Sequence, residues 1–142
     1  MTVASTVPSL AAGLDGFRLI LHVFAAAVWV GGQVTVAGLL PTVRTFGEDA
    51  PKKVGRALAR MLWPAYALLV ITGFWNVATF NLKEASTAWN VVLGIKIADV
   101  ALAGVAVYLH QRATSRRAIA VWGAIGAIAT ILALCLGVFL AG

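Results

Sequence analysis

Three polar side chains interrupt one apolar segment of the chain, LHVFAAAVWVGGQ (residues 21–33). They are His22, Trp29 and Gln33, and Arg18 lies one helical turn before the histidine. At about 100° per residue, these spacings place all four side chains on one stripe of a helix. Imidazole is an axial ligand for haem iron and a ligand for copper, so the stripe is a candidate haem or metal site.

A later apolar segment contains a second candidate pair, Lys96 and Asp99. Ionisable residues at membrane depth are rare and are functional candidates by default. The i,i+3 spacing allows a salt bridge along one helix, which would lower the cost of both charges in lipid. The same two side chains are able to relay a proton, and we treat them as the catalytic candidates.

The elements that position these residues follow from the composition. The chain has 142 residues, of which 61% are hydrophobic and 11% charged, and a mean hydropathy of +0.94. A soluble domain carries roughly 25% charged residues. Four apolar stretches, at about 17–40, 57–80, 89–110 and 118–140, are long enough to cross a bilayer. We predict an all-α membrane protein with one domain, a four-helix transmembrane up-down bundle.

The basic residues predict how the bundle is oriented. Pro41 is expected to end the first span. Connector 41–60 then contains five basic residues and connector 110–117 three, whereas connector 81–88 contains only Lys83. The positive-inside rule places the first and third connectors in the cytoplasm and both termini outside, in a bacterial-type inner (plasma) membrane. Because the basic residues flank spans, the net charge of +6 does not indicate a nucleic-acid partner.

Other motifs narrow the classes further. The single cysteine, Cys135, excludes an intrachain disulfide and a cysteine-based metal motif. Residues 1–13 lack the basic n-region of a signal peptide, so the first apolar stretch is expected to remain as a span. The chain contains no catalytic-triad signature, HExxH, nucleotide-binding loop or zinc spacing.

Up-down connectivity makes the first and third spans parallel, so His22 and Lys96 are expected at a similar depth. Both lie roughly 8–11 Å below the outer end of their spans. The second span, which is antiparallel to these, brings further polar groups to that depth. The predicted polar cluster near the outer leaflet comprises Arg18, His22, Thr72, Asn76, Lys96 and Asp99.

Each candidate also has a structural interpretation, which the sequence leaves open. His22 would then form a hydrogen bond between helices, and Lys96 would extend to the interface by its long stem. Trp29 and Gln33 would serve packing and interhelical hydrogen bonding. His110 would belong to the basic flank. Four other tryptophans are expected near span ends, as interfacial aromatics: Trp63, Trp75, Trp89 and Trp122.

A b-type haem in a four-helix bundle needs an axial histidine, small residues beside the macrocycle and cations for the propionates. His22, the alanines at 25–27, and Arg18 with Lys96 meet these needs. Copper(I) favours thioether, thiolate and imidazole together, but the methionines, histidines and cysteine are scattered along the chain. Haem therefore fits better than copper, which remains the alternative.

Three stretches resemble a known family. His22 with "VFAAAVWVGGQ" and the later "LLP" resembles the first helix of the copper-resistance D (CopD) membrane domain, and "WPAYALLVITGFWN" is similar to its following helix. The stretch "WNVVLGIKIADVALAGVAVYLH" is similar to CopD and to the related HemJ-type protoporphyrinogen oxidases. The resemblance implies a small four-helix membrane protein, with His22 matching a proposed haem ligand and Lys96 a lysine important for activity. The Gly31-Gly32 pair is closer to CopD than to HemJ.

Three functional hypotheses follow. The first is a haem protein with redox activity, which the resemblance extends to a HemJ-like oxidoreductase acting with a redox partner. The second is a copper uptake or tolerance component that works with a copper chaperone. The third is a non-catalytic accessory subunit of a larger membrane complex. Frequent small residues would also permit a homodimer within the lipid bilayer.

Overall fold

The computed structural model describes residues 11 and 13–141, and these form four helices and no strand. The helices are α1 (Gly13–Arg44), α2 (Ala50–Ala78), α3 (Thr87–Arg112) and α4 (Arg116–Ala141). Each is long and apolar enough to cross a membrane. The predicted all-α four-helix bundle is confirmed. The expectation about a signal peptide concerns residues that lie mostly outside the described part.

The first connection is shorter than the sequence indicates. Pro41 does not end the first helix, which continues to Arg44, because a proline removes one intrahelical hydrogen bond without stopping the last turn. The second helix begins at Ala50, with a proline in its first turn, a position where the missing N–H has no consequence. The loop is therefore only 45–49, and Gly47 turns the chain with a positive φ of 119°.

Serine side chains cap the third and fourth helices. Ser86 accepts a hydrogen bond from the backbone N–H of Trp89 at 3.2 Å, and Ser115 accepts one from that of Ala118 at 3.1 Å. The loops 45–49 and 113–115 lie at one end of the bundle, which carries most of the basic residues and is called the basic end. The loop 79–86 lies at the opposite end, the α2–α3 end.

The bundle consists of two helical hairpins. Helix α1 packs along α2, and α3 packs along α4, while α1 and α4 make fewer contacts. Polar side chains join the hairpins. The Tyr66 hydroxyl donates to the carbonyl of Val100 at 2.9 Å, and Gln33 Nε2 donates to Thr130 Oγ1 at 3.3 Å. Because these bonds link α2 to α3 and α1 to α4, the four helices form one unit.

An aromatic core occupies the middle of the bundle. Trp29 is 2% exposed, and its ring centroid lies 4.7 Å from that of Tyr66 and 6.0 Å from that of Trp63. Leu62 and Val107 complete this core. Trp63 was expected at a span end, but it packs against Trp29. Its ring N–H donates a hydrogen bond to another helix of the bundle, as a buried indole N–H usually does.

Candidate functional site

His22 is oriented by a threonine on the neighbouring helix. Its Nδ1 lies 2.9 Å from Thr72 Oγ1, and the Thr72 hydroxyl donates to the carbonyl of Leu68 at 2.7 Å. A hydroxyl has only one proton to give, so Nδ1 carries the proton of the first bond. We infer the tautomer with an unprotonated Nε2, and this nitrogen makes no hydrogen bond within the described residues.

The second helix is suited to hold the imidazole. Threonine on a helix commonly bonds back to a carbonyl one turn earlier, which fixes the orientation of the Thr72 oxygen. Thr72 is only 1% exposed, so water does not compete for this oxygen. The His22 ring lies beside Gly73. His22 itself is half-buried, so part of its ring reaches the surface of the bundle.

Lys96 extends from α3 towards α4. Its Nζ lies over Gly137, where an added Cβ would come within 2.9 Å of the ammonium. The glycine therefore provides the room for the lysine. The structure thus places the Lys96 ammonium against Gly137 of α4 and the His22 ring against Gly73 of α2, and the shared site of His22 and Lys96 stays a prediction.

The predicted salt bridge between Lys96 and Asp99 is not formed. The only salt bridge among the described residues joins Arg18 to Asp15, with Nη1 3.2 Å from Oδ1. Asp99 is 6% exposed and shares the buried stripe of its helix with Ala103, whereas the lysine turns towards α4. The two side chains are close in sequence but point to different neighbours.

Three buried polar atoms have no hydrogen-bond partner among the described residues. They are Arg18 Nε, Asn76 Oδ1 and Asp99 Oδ2. All three lie between the middle of the bundle and the α2–α3 end. Buried polar groups are nearly always paired, so each unpaired atom calls for a water, an ion or a ligand. Arg18 as a whole is 6% exposed.

The deeper residues of the His22 stripe serve packing. Trp29 is part of the aromatic core. Gln33 Nε2 donates to Thr130 and, at 3.1 Å, to the carbonyl of Trp29. The sequence did not single out Thr130 or Tyr66, although a hydroxyl within an apolar helix is a signal for an interhelical bond.

His110 has a different environment from His22. Its Nδ1 lies 2.8 Å from the carbonyl of Ile119, so it donates to that oxygen and ties α3 to α4 next to their loop. Gly123 leaves space for the ring, because an added Cβ would lie 3.0 Å from Nδ1. The two histidines belong to opposite ends of the bundle and do not share a site.

No three His, Cys, Asp or Glu side chains come together within residues 13–141 to hold a metal ion. Cys135 is exposed on α4. This part of the chain therefore offers one imidazole with an unprotonated nitrogen, His22, and two partly or fully buried cations, Arg18 one helical turn from it and Lys96 on α3. Such a set suits a ligand that needs one axial bond from the protein and carries negative charge.

Comparison with known proteins adds no relative: no family model matches the chain, and no curated protein or solved structure is significantly similar to it. The function must therefore be argued from the site itself.

Proposed function

We propose that the chain is a CopD-like integral membrane protein that handles b-type haem, with His22 as the axial ligand. The observation that carries this proposal is the hydrogen-bond relay from His22 to Thr72 and Leu68. Histidines that bind metals commonly donate their other ring N–H to a fixed acceptor, which sets the tautomer and the ring orientation. The relay leaves Nε2 available as the ligand.

The charges around His22 also fit haem. Arg18 pairs with Asp15 through Nη1 but has a buried Nε that lacks a partner among the described residues, and Lys96 supplies a second cation. Both are suited to bind propionates by charge-assisted hydrogen bonds. Asp99 Oδ2 is a buried acceptor that is able to hold or pass a proton. Bound haem would supply one-electron chemistry, which the protein side chains lack.

Copper is the weaker candidate for the same site. A tight copper site in a protein draws several imidazole and sulfur donors together. Within the described residues, no such group surrounds His22. Haem needs less from the protein, because the porphyrin itself supplies four of the iron's ligands. One free imidazole is therefore sufficient for haem and insufficient for copper.

The test is the absorption spectrum and metal content of the protein purified from a membrane fraction. We expect a Soret band and a sharp α-band after reduction, with haem near one per chain. A colourless preparation with stoichiometric copper would overturn the proposal in favour of copper handling. Colourless, metal-free protein that copurifies with other subunits would instead favour an accessory role.

Substitution of Thr72 tests the relay itself. Thr72→Val removes the acceptor of the Nδ1 proton and keeps the size of the side chain, so haem affinity should fall by about 10- to 100-fold. Thr72→Ser keeps the hydroxyl and serves as the matched control. Haemin titration of each variant measures the affinity. Equal affinities for the valine and serine variants would show that the relay does not orient the ligand.

We further propose that the basic end faces the cytoplasm of a bacterial-type inner membrane and that both termini lie outside, by the positive-inside rule. Single cysteines at Lys83 and Arg116, in a Cys135→Ser background, test this orientation. A membrane-impermeant maleimide added to intact cells should label position 83 and leave position 116 unlabelled. Labelling of position 116 alone would show the opposite orientation, with the basic end outside.

A further inference from the structure

An apolar groove lies between α2 and α3 on the outside of the bundle, away from His22. Its volume is about 380 Å³, and it forms where the two hairpins meet without close helix packing. The groove is lined by Trp63, Tyr66, Ala101, Gly104, Val105 and Tyr108.

Hydrogen bonds fix the shape of this groove. The Tyr66 hydroxyl donates to the carbonyl of Val100, which holds the ring across Gly104. An added Cβ at Gly104 would collide with this hydroxyl. Trp63 Nε1 donates to Gln111 Oε1 at 3.0 Å, which links the helices at the end of the groove nearer the basic end. Two of the six lining side chains, Trp63 and Tyr66, are therefore held in place by hydrogen bonds to the facing helix.

Positive charge lies at that same end of the groove. The guanidinium carbon of Arg112 lies 5.4 Å from the centre of the Tyr108 ring, within the range of a cation–π interaction. Arg60 is exposed on α2, one turn from Trp63 towards the basic end. An apolar slot with arginines at one end complements a molecule with a hydrocarbon chain and an anionic head.

We propose that this groove binds an anionic phospholipid of the surrounding bilayer, with an acyl chain along Tyr66 and Val105 and the phosphate on Arg112. Basic pockets between transmembrane helices bind anionic head groups in this way. A second copy of the chain is the other candidate occupant, but the arginines at one end of the groove favour an anionic lipid over another apolar helix.

The test uses native mass spectrometry of the purified protein with added dioleoylphosphatidylglycerol or dioleoylphosphatidylcholine. We expect the protein to retain the anionic lipid about fivefold better than the zwitterionic one, the effect of one basic residue at a membrane surface. Arg112→Gln should remove this preference. Arg117→Gln, also exposed at the basic end but on α4, is the matched control and should keep it.

A second pair of variants tests the groove. Val105→Trp fills it and should lower the retention of both lipids at least fivefold, while Leu102→Trp, on the same helix but outside the groove, should not. Both native side chains are exposed, at 53% and 46%, so neither change disturbs the packing of the bundle. Equal retention of the two lipids by the wild type would overturn the head-group assignment. Unchanged lipid retention in Val105→Trp would show that the lipid does not bind in this groove.

A wild-type dimer that Val105→Trp converts to a monomer would identify a second copy as the occupant instead.

Discussion

The two ends of the bundle use their polar residues in different ways. Towards the basic end, His110, Trp63 and Gln111 have partners within the bundle. Towards the α2–α3 end, the unpaired atoms of Arg18, Asn76 and Asp99 lie buried. Paired polar groups stabilise a membrane bundle, whereas unpaired ones cost stability and are retained where they serve a function. All three unpaired atoms therefore belong to the part of the bundle in which the proposed haem site lies, although that part also contains paired groups such as Trp89, whose ring N–H donates to the carbonyl of Leu140.

The two histidines, His22 and His110, differ in their hydrogen-bond partners and surroundings in the same way. Both donate through Nδ1, but His110 donates to a backbone carbonyl within its own hairpin, next to a short loop. His22 donates to a side chain on another helix and is half-buried. The first arrangement closes a helical hairpin, and the second would position a ligand nitrogen in the proposed haem site.

The largest effect on stability should come from the aromatic core. Trp29→Ala removes a ring that is 2% exposed and packed at a tilt against Tyr66, so the free energy of unfolding should fall by about 3 kcal/mol. Phe24→Ala, five residues earlier on the same helix and 62% exposed, should change it by less than about 1 kcal/mol. Unfolding in mixed detergent micelles measures both. Equal losses would mean that Trp29 does not support the core.

An intermediate effect should follow at the contact between the hairpins. Gly104→Ala places a methyl group against the Tyr66 hydroxyl, so we expect a loss of about 2 kcal/mol. Gly94→Ala, on the same helix with open space around it, should be neutral or stabilising by up to about 1 kcal/mol.

The double variant Gly104→Ala with Tyr66→Phe supplies the control for this contact. It removes the hydroxyl that the methyl group meets, so it should lose less than the sum of the two single changes. Additive losses would show that the glycine is not needed for the tyrosine.

A smaller effect of opposite sign should distinguish the two halves. Asp99→Asn replaces a buried carboxyl group that has no ion-pair partner among the described residues with a group that cannot ionise, so the free energy of unfolding should rise by about 1 kcal/mol. Thr130→Val breaks the bond from Gln33 and should lower it by about 0.6 kcal/mol. Unfolding in mixed detergent micelles measures both changes in the free energy. A loss of stability in Asp99→Asn would assign this residue to the framework.

Hydropathy predicted the fold because only helices satisfy their own backbone groups in lipid. The helical period likewise placed His22, Trp29 and Gln33 on one inward stripe. The direction of long side chains was not predictable in this way. Lys96 turns to Gly137 and not to Asp99, because a glycine on another helix leaves room that no local spacing reveals. The role of Tyr66 was missed for the same reason, since its partner, the carbonyl of Val100, belongs to the other hairpin.

The most direct test of the haem proposal is a haemin titration of the wild type, His22→Ala and His110→Ala, followed by the Soret absorption. We expect His22→Ala to lower the affinity at least tenfold and to change the position of the reduced α-band. His110→Ala should bind haemin as the wild type does, because this histidine ties one hairpin at the opposite end. Haemin binding that survives in His22→Ala and is lost in His110→Ala would contradict the assignment of the site to His22.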